Sequence, residues 1–179
     1  MLDTLISSKT RIKLLLKFFL NSSSRSYLRS LESEFGESTN AIRLELNRFE
    51  DAGMLESEKK GNRKYFKANT QHPLFGEVQK IMQKYVGIDQ IIERVVDKLG
   101  NLEKVYLEGS FAKGLDAEVI DLILIGKEID RQYLTLLINK AEEVIDKRIR
   151  YVLFEPGKEK EYLKNQQVKP LLIWGKANQ

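Results

Sequence analysis

The chain has 179 residues, 42% hydrophobic and 31% charged, so it is globular and long enough for one ordinary domain or two small ones. It has no cysteine and a single histidine, His72 beside Pro73, which excludes disulfides and thiolate metal centres and argues against zinc. Residues 1–73 hold 13 basic and 9 acidic side chains while residues 74–179 hold 17 of each, so the net charge of +4 lies wholly in the first part.

The N-terminal stretch MLDTLISSKTRIKLLLKFFLN is apolar but broken by Lys and Arg. It has no run near the roughly 18 residues of a membrane span, and a cytoplasmic protein with no membrane partner is expected. From Arg11 to Leu20, helical spacing places Ile12, Leu15, Leu16 and Phe19 on one face. Leu14 and Phe18 form a second stripe, either a dimer interface or a surface that packs on a later helix. After the polar break NSSSRS, Tyr27 to Phe35 reads as a short helix stopped by Gly36.

Ser38 is positioned to cap a third helix, TNAIRLELNRFEDAG, with Ile42, Leu46 and Phe49 inward and its end at Gly53. Thr39, Asn40, Arg43 and Asn47 then fall on the outer face, where each can hydrogen-bond base edges or phosphates. Arg43 is the candidate for a guanine, and Asn40 or Asn47 for an adenine. Next, LESEK and RKYFK flank KGN, a hairpin with Lys59, Lys60, Arg63 and Lys64 at or near its tip.

The phrase YLRSLESEFGESTNAIRLELNRFEDAGML and the basic hairpin ESEKKGNRKYFKAN resemble the winged helix-turn-helix of the ArsR and MarR types of bacterial transcription regulators, over residues 8–70. The resemblance implies double-stranded DNA as partner, with the third helix in the major groove and the wing on the flanking backbone or minor groove. One copy offers few phosphate contacts, so a homodimer is expected. This reading assigns residues 1–73 to a DNA-binding domain, 74–87 to a linker helix and 88–179 to a second domain.

In the linker, Val78, Ile81, Met82, Tyr85 and Val86 share a side, and Gly87 interrupts. The pattern resumes with Ile88, Ile91, Ile92, Val95, Val96 and Leu99. EKVYLE then reads as a strand, GSFAKG as a turn into a short helix, and VIDLILIG as a central strand apolar on both faces. A helix DRQYLTLLINKAEEVID turns Leu134, Leu137, Ile138, Ala141, Val144 and Ile145 inward. Strand RIRYVLF, a turn at Pro156 and Gly157, helix KEKEYLKNQ and strand PLLIWG, with Trp174 in the core or on the sheet face, complete the chain.

The piece GSFAKG…IDLILIG is similar to the minimal nucleotidyltransferase domain of the DNA polymerase β superfamily, and the similarity extends over residues 88–175. It implies an α/β domain with a small mixed sheet, so the whole chain is expected to be α+β. It also implies Gly109 beside a triphosphate, Ser110 on phosphate, and three carboxylates holding two divalent ions that activate the attacking hydroxyl. Gly109, Ser110, Lys113, Gly114 and Asp121 match that motif, but its first carboxylate falls on Val119 and its third on Arg150.

Strand alternation puts Val119 on the face of Asp121 and Glu118 on the other. Asp116 and Glu108 are then the remaining side chains able to bring a carboxylate in. The expectation is a DNA-binding regulator whose second domain is a catalytically inactive nucleotidyltransferase fold used for dimerisation or ligand sensing. No catalytic residues, metal or cofactor are assigned. Gly109, Ser110, Lys113, Asp121 and Arg150 would form a vestigial site for a nucleotide or other small phosphate. An active magnesium-dependent nucleotidyltransferase and an antitoxin-type interaction module are the alternatives.

Overall fold

The structure, a computed structural model, describes residues 2–176. It is α+β and divides into two compact units, Met1–Met82 and Gln83–Gln179, each with its own sheet.

The first unit opens with α1 (Leu2–Leu5) and α2 (Lys9–Leu15), which runs without a break into a π-turn at Leu16–Leu20. The Ser8 hydroxyl accepts the Arg11 N–H at 3.1 Å and starts α2. Leu14 and Phe18 are 0% exposed within the single chain, so the spare stripe belongs to the core and not to a dimer surface. The wide π-turn brings Leu16, Phe18, Phe19 and Leu20 inward together. Even Lys17 is buried there, its ammonium held by Glu34 at 2.5 Å.

Two residues of strand, β1 (Ser26–Tyr27), precede α3 (Leu28–Phe35), which ends at Gly36 in the left-handed region. Ser38 caps α4 (Thr39–Asp51) by accepting the Ala41 N–H at 3.2 Å. Ile42, Leu46 and Phe49 anchor the inner face of α4, together with a buried carboxylate, Glu45. Glu45 receives Arg11 through two N–H groups, at 2.9 and 3.3 Å, and Arg48 at 3.2 Å, which ties α4 to α2. Strands β2 (Leu55–Lys60) and β3 (Arg63–Ala68) form the hairpin about Gly61 and Asn62, and the antiparallel sheet order is β1-β3-β2.

Helix α5 (Phe75–Val86) begins in the first unit, where Phe75 lies 5.7 Å from the Phe19 ring. Met82 and Val86 are buried, whereas Ile81, expected inward, is 48% exposed at the edge of a narrow stripe. In the second unit α6 (Ile88–Ile91), a π-turn (Ile92–Val96) and α7 (Asp97–Leu99) lead to β4 (Leu102–Glu108). There follow α8 (Gly109–Ala112), β5 (Val119–Gly126), α9 (Arg131–Ile145), β6 (Arg148–Phe154), α10 (Lys160–Lys164) and β7 (Leu171–Gly175).

The sheet order is β6-β5-β4-β7, with β5 and β6 parallel across α9 and the other pairs antiparallel. Strand β5 is central, and Ile120, Leu122, Ile123 and Leu124 are fully buried, as a two-sided core strand requires. Leu134, Leu137, Ile138 and Ala141 turn α9 onto the core. Val144, read as inward, is 49% exposed, because it lies at the rim of that stripe just before the helix stops at Asp146. Among the described residues no helix is long and apolar enough to cross a membrane.

Candidate functional site

Burial of Ile42, Leu46 and Phe49 fixes what α4 shows to solvent: Asn40, Arg43 and Asn47 are exposed and Thr39 is half-buried. Beside this face, the hairpin leaves a concave groove of about 580 Å³. Arg43 and Asn47 of α4 and Arg63 and Lys64 of β3 line it, whereas Thr39, Asn40, Lys59 and Lys60 do not. Lys59 and Lys60 are exposed at the end of β2. Lys64 is committed within the unit, with its ammonium 2.6 Å from Glu50. Hydrogen bonds from Lys64 and Ser57 hold the Glu50 carboxyl below its ordinary range.

Sequence reasoning missed Tyr27, Arg29 and Asn62, which also line the groove. Tyr27 and Tyr65 are directly opposite on β1 and β3, with rings 5.3 Å apart, edge to face. Arg63 stands over Tyr27 at 4.6 Å and Arg25 over Tyr65 at 4.9 Å, so the four side chains form one ladder. The signal was weak, because Tyr27 reads as the first residue of a helix and its pairing with β3 rests on a two-residue strand.

In the second unit, strand register sets Glu108 opposite Asp121 and Asp121 opposite Arg150, a row across three neighbouring strands. Arg150 donates from Nε to Asp121 Oδ1 at 2.7 Å. Asp121 is largely covered, with 18% of its side chain exposed, whereas Arg150 is 72% exposed. The other Asp121 oxygen, Oδ2, would be 2.6 Å from a Cβ at position 109, where φ is +66°. Only glycine leaves room there for the carboxylate against the turn.

Glu108 accepts the Tyr162 hydroxyl at 3.1 and 3.2 Å. Burial pushes the Glu108 carboxyl above its usual range, and the nearby Asp121 charge adds to this. Burial, then hydrogen bonding to Glu108, raises the Tyr162 phenol, so it stays protonated and donating. A shallow pocket of about 440 Å³ opens over this row, lined by Glu108, Gly109, Asp121, Arg150 and Tyr162 among others.

The remaining predicted residues lie elsewhere. Ser110 and Lys113 do not line this pocket, and Lys113 is the exposed C-cap of α8. Val119 is at the start of β5, opposite Arg148. Asp116 accepts the Tyr85 hydroxyl at 2.9 Å and Lys147 at 3.2 Å, and it does not line the pocket over Asp121. Glu118 belongs to another cleft, with Glu142 and Arg148. Among the described residues, no three His, Asp or Glu side chains converge as a metal-holding group.

No protein-family model and no curated protein matches the chain. Solved structures do. Reduced HlyU from Vibrio cholerae N16961 matches at 14% identity and a TM-score of 0.38, over 49% of this chain and 83% of that one. AF1382 from Archaeoglobus fulgidus matches at 22% identity and 0.38, over 52% and 98%. A proposed nucleotidyltransferase from Sulfolobus solfataricus matches at 25% identity and 0.39, over 55% and 86%.

Proposed function

We propose that the chain is a DNA-binding transcription regulator acting in the cytoplasm as a homodimer. The unit Met1–Met82 would lay the outer face of α4 in the major groove of a duplex and its hairpin on the flanking backbone. The observation that carries this reading is one-sidedness. Asn40, Arg43 and Asn47 are exposed on α4, Lys59, Lys60 and Arg63 on the adjoining hairpin, and no carboxylate lines the groove between them. Polar side chains beside unpaired cations suit a phosphate-edged groove with readable base edges.

The second unit, in this proposal, keeps a nucleotidyltransferase-like fold without its chemistry and serves dimerisation or ligand sensing. Two divalent ions need several oxygen ligands each, and the row offers two carboxylates. One of these is bonded to the Arg150 guanidinium and the other to the Tyr162 hydroxyl, so the donor set does not fit two hard cations.

The test of the regulator reading is selection of preferred duplexes from a random pool by the full-length protein, followed by affinity measurements. A preferred sequence should emerge, Asn40→Ala should flatten the preference, and Lys59→Ala with Lys60→Ala should weaken all sequences alike. Recovery of no enriched sequence would defeat it. For the second unit, no label should pass from any nucleoside triphosphate with magnesium or manganese, and transfer abolished by Asp121→Asn would restore the enzyme reading.

A further inference from the structure

We infer that the groove between α4 and the hairpin is a phosphoester clamp, in which Arg29, Arg43 and Arg63 together grip one backbone phosphate of a duplex. The inference rests on the regulator reading and sharpens it, because it moves Arg43 from a guanine edge to the backbone.

The three arginines reach the groove from three elements, α3, α4 and β3. All are exposed, and among the described residues none of them joins an ion pair. Lys64, the fourth cation on the wall, is already neutralised by Glu50. Like charges gathered in a concave wall with no carboxylate repel one another until an anion enters. Planar guanidinium forks carried on three separate elements suit the tetrahedral oxygens of a phosphate better than the single plane of a carboxylate. The apolar floor, Leu46 and Phe66 at 1% and 4% exposure, keeps the local dielectric low and strengthens the attraction.

Arg63 does not swing freely. Its guanidinium rests on Tyr27, which is braced in turn by Tyr65. Part of the ordering cost of gripping a phosphate therefore falls on folding instead of on binding. Tyr27 is a positioning residue. Thr39 and Asn40, at the first turn of α4 and outside the groove lining, are left to read bases, as the N-terminal residues of a recognition helix do. A free nucleotide or pyrophosphate offers the same chemistry, so the two sources must be separated.

The experiment uses the full-length protein with duplexes of several sequences across a salt series, and pyrophosphate as the free probe in thermal unfolding. Arg29→Ala, Arg43→Ala and Arg63→Ala should each weaken all duplexes by a common factor, and the three combined should lower the slope of log K against log salt by about 0.9, the share of one phosphate. Tyr27→Leu should weaken binding with the slope kept, and Tyr27→Phe should restore it. If Arg43→Ala alters the ratio between sequences and leaves the slope, Arg43 reads a base and the clamp as drawn is overturned. An unchanged slope in the triple variant, or unchanged affinity in Arg29→Ala and Arg63→Ala, also overturns it, while duplex binding by the unaltered protein leaves the regulator reading standing. If no duplex binds at low salt but pyrophosphate raises the unfolding temperature in an Arg29- and Arg63-dependent way, the regulator reading falls and the clamp stands for a free phosphoryl anion. A response to neither probe removes both.

Discussion

Arg43 and Glu45 lie two residues apart on the same helix, one exposed and the other buried. Arg43 falls outside the apolar stripe of Ile42, Leu46 and Phe49 and meets solvent. An acidic residue beside that stripe reads as solvated, yet Glu45 is buried, because Arg11, 34 positions away, holds it. Removing it should be costly: Glu45→Ala is expected to lower the unfolding free energy by about 1–3 kcal/mol, less than for a fully buried pair because Arg11 keeps partial access to water. Urea denaturation measures this, and a change below about 0.5 kcal/mol would contradict the tie between α2 and α4.

Charge also sets opposite pH responses in the two units. Burial, the largest single influence, would raise Glu45, but the Arg11 hydrogen bond and charge, the Ser8 hydrogen bond and the Arg48 charge together outweigh it and leave the carboxyl below its ordinary range, and the Lys13 and Lys64 hydrogen bonds depress Glu37 and Glu50 likewise. Their folded forms bind protons more weakly than the unfolded chain, so their stabilisation is present at neutral pH and is lost as pH falls through and below the ordinary carboxylate range. Glu108 is raised by burial, so its contribution is greatest below that range and is lost as pH rises through its elevated value. Glu108→Gln should therefore raise the thermal midpoint at neutral pH, with the gain fading in acid. A gain that persisted unchanged in acid would show that the charge is not its cause.

At the scale of elements, helix α4 and the β2–β3 hairpin were readable because local chemistry specifies both. Ser38 and Gly53 bracket an apolar stripe, and Gly61 turns two strand-like runs. Strand β1 was not readable, since Ser26 and Tyr27 acquire strand geometry only by pairing with Phe66 and Tyr65. The wide π-turn after α2 is equally hidden, and it turns Phe18 inward with Leu16, Phe19 and Leu20, beside Leu14 of α2, which is also fully buried. In the second unit, the order of strands around GSFAKG followed from alternation and length, but the contact between Gly109 and Asp121 needed the register. Gly109→Ala places a methyl group 2.6 Å from Asp121 Oδ2 at a positive φ. It should destabilise the protein by about 1–3 kcal/mol through backbone strain and displacement of that carboxylate. A thermal midpoint equal to that of the unaltered protein would show that the turn relaxes without penalty.

At the scale of the molecule, the sequence separates a basic first part from a charge-balanced second, and the structure divides into two units with separate sheets. The net charge of +4 is too small to define a binding face by itself; what concentrates it is the groove, whose wall carries arginines and no carboxylate. In the second unit, the acidic side chains nearest the candidate site are held in internal pairs, Asp121 with Arg150 and Asp116 with Lys147. The most direct measurement is an anisotropy titration of the full-length protein with labelled duplex at about 0.15 M salt, in competition with heparin, and repeated across a salt series. A duplex preference over heparin is expected, with log K falling by about 0.9 per log unit of salt for each phosphate engaged. Equal affinity for duplex and heparin at moderate salt would contradict it.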